Sequence, residues 1–460
     1  MLTPDQAADI FSLLKKHSTA DEIECLFYGG CSALTRFANN TIHQNVAEEN
    51  YGVSVRTVFG GRTARATSNK FDEDSLKEVL RASEALARVQ QPDPDLLPVA
   101  DPGAGRGSLD IPSRHFQATA NITPAVRAEA VGRIVAVAQK HKLTAAGIFS
   151  SSESVEGIFN SRGHSDWHTQ TSAEISITML APDSSGWQKA NSPDAANLDA
   201  VTLAETAAAK AARSAAPREV PPGKYTVILE PAAVLDTVGF AFFDFGGLAI
   251  LDQRSFLNNR IGVQLFGKNI TVWDDVSHPL QSGSPFDGEG VRRQKIPLIE
   301  EGIVKRLVYA RATASKMKTS EYAAKVGPIG PTGHGFPVPN EIGEAPMNIV
   351  FAAPGDPTSV EQMIASTERG ILVTRLWYIR EVDPYEKILT GMTRDGTFLI
   401  ESGKLVCGVR NFRFNQSLIE MLSNVEQMSE PVRASGEESF DMVVPAMKVR
   451  EFNFTEVTKF

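Results

Sequence analysis

The chain has 460 residues, 42% of them hydrophobic, which is length enough for roughly two to four domains with real cores. Its 46 Lys and Arg against 55 Asp and Glu leave a formal net charge of -9; binding along a phosphate backbone needs cations clustered on one face, so nucleic acid is not an expected ligand. Three cysteines, Cys25, Cys31 and Cys407, with no Cys-x-x-Cys pair, fit a reducing compartment without structural disulfides and read as small apolar residues rather than nucleophiles.

Residues 1–17 lack the basic, then apolar, pattern of a leader. Thr3-Pro4-Asp5-Gln6 has capping-box spacing with Pro at the first helical position, which predicts an amphipathic helix and a cytoplasmic protein. Alternating apolar residues predict short strands over 22–28, 41–48, 52–58 and 62–67, joined by Gly-Gly turns at Gly29-Gly30 and Gly60-Gly61. A helix follows, with Asp72 as N-cap and Leu76, Val79, Leu80 and Leu86 on its core face. These residues, 1–90, are expected to form an N-terminal helix-flanked antiparallel sheet, and the Pro-, Gly- and Asp-rich stretch 91–112 a linker.

A middle segment over 113–220 opens with Thr123-Pro124 and a helix whose stripe is Val131, Ile134, Val135 and Ala138. Two strands flank the polar turn 160–165, and an alanine-rich helix over 198–216 closes the segment before Pro217. The remainder, 221–460, reads as a large β-rich domain. It starts with a strand at 224–229 and a helix-like apolar stretch at 231–245. The apolar run 232–251 approaches membrane-spanning length but contains Asp236 and Asp244, each costing roughly 3 kcal/mol at a helix centre in lipid, so it is read as buried and no membrane is expected. Further strands are predicted at 269–273, 303–309, 371–378 and 396–409, the last a hairpin about Ser402-Gly403, with Thr358 and Glu361 at capping-box spacing. The fold class is therefore α+β.

Chemical motifs are sparse. Eight histidines include no His-Glu dipeptide; His164 and His168, at a hairpin and the start of a strand, would be about 13 Å apart along extended chain, and are read as surface residues. His278 and His334 fall in Pro- and Gly-rich loops and are read as solvated, with a cleft lining as the alternative. No Gly-x-Ser-x-Gly elbow occurs. Residues 262–268 match Gly-x-x-x-x-Gly-Lys, but Asn269 lacks the magnesium-binding hydroxyl and a strand follows, so a turn is expected. Gly103-Ala104-Gly105-Arg106-Gly107 lies in the linker and reads as a flexible connector. The loop Ser282-Gly283-Ser284-Pro285-Phe286-Asp287-Gly288-Glu289-Gly290, followed by Arg292-Arg293, has two readings: a grip on an extended peptide, or a solvated turn between strands.

Gly-Val-Ser-Val-Arg-Thr at 52–57, Ser-Pro-Phe-Asp-Gly-Glu-Gly-Val-Arg at 284–292, Pro-Thr-Gly-His-Gly at 331–335, Glu-Arg-Gly-Ile-Leu-Val-Thr at 368–374 and Ile-Glu-Ser-Gly-Lys-Leu at 400–405 together resemble the TldD/PmbA family, in order over nearly the whole chain. That resemblance implies an N-terminal α/β domain, a middle domain and a large C-terminal β-rich domain. It also implies a zinc peptidase in members that carry His-Glu-x-x-x-His and a C-terminal Cys. Setting Val238-Gly239 against the Val-Gly of that motif places Leu235 and Phe240 at the two His and Asp236 at the Glu. Cys407 falls too early for the ligand Cys. The chain thus resembles the PmbA (TldE) type, implied to be a metal-free subunit, with no catalytic residue or cofactor of its own and zinc only in a TldD-type partner. The implied complex cleaves unfolded peptides and trims leader peptides. Phe286, Asp287, Glu289, Arg292 and His334 are the candidate peptide-binding residues. A stand-alone homodimeric binding protein without peptidase activity is the alternative, and an enzyme with an unrecognised metal or nucleophile site is a third reading. The family's older name, modulator of DNA gyrase, finds no DNA-binding signal in this acidic chain.

Overall fold

The computed structural model describes residues 1–103 and 109–458, so Ala104, Gly105, Arg106 and Gly107 of the linker run lie outside the described residues. The N-terminal half is built on one antiparallel sheet of six strands: β1 (Glu22–Ala38), β2 (Thr41–Phe59), β3 (Arg62–Ser68), β4 (Thr144–Asn160), β5 (Ser165–Leu180) and β6 (Ser185–Ser192), in the order β3-β2-β1-β4-β5-β6. The first and middle segments of the sequence therefore share a sheet, because β1 pairs with β4 from Glu24 opposite Asn160 to Phe37 opposite Gly147.

The expected turn at Gly29-Gly30 does not exist. Both glycines sit inside β1, where a Cβ on Gly29 would lie 2.1 Å from the Asn50 carbonyl oxygen and one on Gly30 would lie 2.0 Å from that of Glu153. They are glycine because the neighbouring strands approach too closely for a side chain, not because the chain reverses. The reversal comes at Asn39-Asn40, both with positive φ, so the strands expected at 41–48 and 52–58 are one strand, β2. Gly60-Gly61 does form its turn, at φ 52° and 79°.

Two helix pairs cover one face of this sheet. Pro4–His17, whose Thr3 and Gln6 complete the capping box, and Glu73–Val89, capped by Asp72, bury Leu14, Leu76, Val79 and Leu80 against Ile23, Phe27 and Val55. Leu86, expected on that stripe, is exposed; Ser83, Glu84 and Ala87 occupy the buried face. Pro124–Lys140 and Ala200–Arg213 pack Ile134, Ala138 and Ala204 on Phe149 and Ile175, with Val137 rather than the expected Val135 fully inside.

In the C-terminal half, strand Gly223–Leu229 pairs with Arg369–Asp383 and with Met447–Val457. Met447–Val457 pairs with Phe412–Ser417, that strand with Ile388–Glu401, and Ile388–Glu401 returns to Arg369–Asp383, which closes a barrel. Phe412, Phe414, Phe452 and Phe454 are fully buried, with the Phe412 and Phe454 rings stacked at 4.6 Å. A second sheet joins short strands, among them Val272–Asp274, Ile296–Glu300, Ile349–Phe351 and Met442–Val444. The strand expected over 303–309 shrinks to Ile303–Val304, because the chain turns into helix Arg311–Lys318. The expected box of Thr358 and Glu361 is made instead by Ser359 and Gln362.

Candidate functional site

The apolar stretch at 231–245 is not one helix: an α-helix, Pro231–Val238, passes into a 3-10 turn, Gly239–Phe245, before the short helix Gly247–Leu251. Pro at its first position and six consecutive buried residues from Ala233 to Val238 drive it into the core. Leu235 is fully buried and Phe240 packs half-buried against the same cluster. Asp236 is also fully buried; its Oδ1 accepts the backbone N–H groups of Glu437 and Glu438 at 3.0 and 2.9 Å, while Oδ2 has no partner. Burial pushes its carboxyl up to about 7, against those two N–H groups. A zinc ion does not fit here. Leu235 and Phe240 offer no lone pair, one Asp236 oxygen is committed to the loop behind it, and no three His, Cys, Asp or Glu side chains among the described residues are grouped to hold a metal.

The loop at 282–293 is neither open nor solvated. Phe286, Asp287 and Glu289 are buried, and only Arg292 of the four is partly exposed. Asp287 organises the loop: its Oδ1 accepts the N–H groups of Glu289 and Val291, both at 2.9 Å, and its Oδ2 that of Gly335 at 2.7 Å. Arg292 contacts Asp166 on β5. His334, read as solvated, is buried, with Nε2 2.9 Å from Asp274 Oδ1 and Nδ1 3.0 Å from the Thr332 hydroxyl. Burial alone would raise Asp274, but the adjacent His334 holds its carboxyl below the ordinary value.

A buried helix start explains the remaining carboxylates. Helix Arg311–Lys318 has Ala310 at its N-cap, which supplies no capping oxygen. Glu289 Oε2 accepts the Arg311 N–H at 2.8 Å and Glu344 Oε2 that of Ala310 at 3.1 Å, so two distant residues cap it together. Burial, then the neighbouring Asp287, raises Glu289 to about 8, and burial also raises Glu344. Glu289 lines a cavity of about 170 Å³ between the six-stranded sheet and the C-terminal half, walled by Leu96, Leu97, Phe336 and Val338. One side is fixed by buried Glu24 in contact with Arg65, whose Nε donates to the Val338 carbonyl. Glu24, Asp274 and Glu344 were not singled out from sequence, because their partners Arg65, His334 and Ala310 lie far along the chain and no local motif marks them.

The other candidates scatter. His164 is buried rather than on the surface, 3.3 Å from Asp166, and His168 is half-buried, where desolvation lowers its pKa. His278 accepts the Leu280 N–H at 3.2 Å. Cys25 is fully buried, and burial pushes its thiol up, while Cys31 and Cys407 are half-buried.

Residues 222–456 match the model of the PmbA/TldA metallopeptidase C-terminal domain, and residues 24–87 that of PmbA/TldA metallopeptidase domain 1. The chain is 23% identical over 435 residues to Metalloprotease PmbA of Escherichia coli O157:H7, covering 91% of this chain and 90% of that protein. It is 36% identical over 108 residues to an uncharacterized Methanocaldococcus jannaschii protein, MJ0231, of which it spans only 26%. The crystal structure of TldE from Thermococcus kodakarensis superposes with a TM-score of 0.84 over 98% of this chain and 100% of that one, at 20% identity, which establishes a shared fold.

Proposed function

The chain belongs to the PmbA/TldD metallopeptidase family, and from that premise we propose that it is the metal-free, TldE-type subunit of a TldD/TldE-like complex. In this reading a TldD-type partner carries the zinc that polarises the scissile carbonyl, and this chain shapes the chamber and holds unfolded or leader peptide. The observation that carries the reading is the packing of helix Pro231–Val238 and the 3-10 turn Gly239–Phe245 that continues it. Leu235 and Phe240 turn a metal-ligating face into a packing face, and Asp236, at the position of the Glu, spends one oxygen on the 437–438 backbone. Apolar side chains at 235 and 240 add no polar group to the core, so the segment keeps its structural role without the metal; the orphan that remains, Asp236 Oδ2, belongs to a carboxyl that burial holds towards its neutral form.

The buried state of Phe286, Asp287, Glu289 and His334 argues for scaffolding of the peptide site, with Arg292 the member of that set able to meet a peptide directly. The cell compartment in this reading is the cytoplasm. Co-expression with a TldD-type homologue that carries His-Glu-x-x-x-His, followed by cleavage of an unfolded peptide, tests the proposal. Activity is expected only when both chains are present; equal activity of the homologue alone overturns it and favours the stand-alone binding protein.

A further inference from the structure

We propose that the outer edge of β2 over residues 45–51 docks an extended peptide segment with basic residues, received as an added antiparallel strand; this does not depend on the metal-free-subunit reading. β1 pairs along the length of β2, from Ala38 opposite Thr41 to Glu22 opposite Val58. On the other side β3 covers only the second part of β2, from Val53 opposite Ser68 to Phe59 opposite Arg62. Beyond Ser68 the chain leaves the sheet for helix Glu73–Val89, so residues 41–51 face no strand there among the described residues. From Thr41 to Asn50 each residue is exposed except Val46, which is half-buried.

The turn sets the direction of the backbone groups. Gly60-Gly61 is a two-residue loop, so Phe59 and Arg62 exchange hydrogen bonds and the odd-numbered residues of β2 aim their N–H and C=O groups at β3. The Asn50 carbonyl agrees: a Cβ on Gly29 of β1 would lie 2.1 Å from its oxygen, so the even-numbered residues face β1. Past the end of β3, the N–H and C=O groups of Asn45, Ala47, Glu49 and Tyr51 therefore point out of the sheet, with no hydrogen-bond partner among the described residues. Edge strands are ordinarily blunted by Pro, Lys or a bulge. Residues 41–52 contain neither Pro nor Lys, and the irregularity in the β1 pairing lies at the hairpin end, between Arg36 and Phe37.

An extended backbone is what satisfies a row of alternating donors and acceptors. Its charge is chosen by Glu48 and Glu49, both exposed and on opposite faces of the strand. The cations nearby are the Met1 ammonium, 3.8 Å from Glu49, and Lys70, which shares the notch at the end of β3 with Glu78. Arg36 and Arg127 are turned to the side chains of Gln44 and Asn45. A second copy of this edge brings no Lys or Arg over 41–52 to the two glutamates, whereas a basic strand pairs both. Where β3 stops, a cavity of about 570 Å³ bordered by Tyr28, Gly52, Ser68, Lys70 and Glu78 leaves room for the first residue of the added strand.

Titration calorimetry on the full chain tests the proposal with acetyl-Thr-Val-Lys-Lys-Thr-Val-Thr amide. When its first residue meets Tyr51, its lysines stand opposite Glu49 and Glu48. It is expected to bind at least about ten-fold more tightly than the peptide with both lysines replaced by glutamate, because two cross-strand charge pairs turn from attraction to repulsion. Glu48→Lys with Glu49→Lys is expected to reverse that preference. Ala47→Pro removes an outward N–H that bonds nothing in the fold, so it is expected to keep the melting temperature and lose the binding. Should that variant unfold, the charge reversal alone decides. Equal binding of the two peptides, an unaltered preference in the lysine variant, undiminished binding to a folded Ala47→Pro, or no binding of either peptide into the millimolar range overturns the proposal. A dimer of the free chain that Ala47→Pro dissociates assigns the edge to a second copy and overturns it as well.

Discussion

At the scale of single residues, carboxylates decide how this molecule answers pH. Glu289 is held neutral by burial, at about 8 against an ordinary 4.5, so the unfolded chain releases its proton while the folded chain keeps it. At this group fewer protons are bound in the unfolded state over that window, so the contribution of Glu289 to stability falls as pH rises from about 4.5 to about 8. Glu289→Gln keeps an oxygen for the Arg311 N–H and cannot ionise. Its melting temperature is expected to gain on the wild type as pH rises through the window, read from paired thermal melts; parallel curves would mean that Glu289 is charged in the fold. The packing face at 235 and 240 makes a second prediction. Leu235→His with Phe240→His is expected to purify without stoichiometric zinc, because no third ligand is grouped there among the described residues, and zinc at one equivalent in elemental analysis would refute it.

At the scale of elements, the length of β1 and β2 rests on close approach between strands. Gly30→Ala would set a Cβ 2.0 Å from the Glu153 carbonyl oxygen, which the sheet relieves only by moving β1 away from β4. A loss of about 2 kcal/mol or more is expected in denaturant unfolding, against less than about 0.5 kcal/mol for an exposed substitution such as Leu86→Ala. The same place shows what the sequence made legible. Caps at Thr3 and Asp72, the Gly60-Gly61 turn and the Ser402-Gly403 hairpin are local, and each formed as read. Gly29-Gly30 was misread because a glycine required by a neighbouring strand looks the same as one required by a turn. Asp287, Glu289 and His334 were visible as a motif, yet their burial depends on Gly335, Arg311 and Asp274, which the fold alone brings to them. A solvated loop and a buried one share the same composition when the partners lie far along the chain.

At the scale of the whole molecule, the two halves meet along a seam of polar contacts that includes Arg114 with the carbonyls of Val276, His278 and Pro279, Arg433 with Asn191, and Arg65 with Val338. Helix Pro231–Val238 lies within the larger core cluster of the C-terminal half, and the fold as a whole superposes on that of TldE from Thermococcus kodakarensis across 98% of the chain. In the proposed reading the second chain of the complex carries the metal. The most direct test is native mass spectrometry with elemental analysis of this chain co-purified with a His-Glu-x-x-x-His homologue. A heterodimer holding one zinc, lost when the homologue's histidines are replaced, is the predicted result; a metal-free homodimer that ignores the homologue would contradict it.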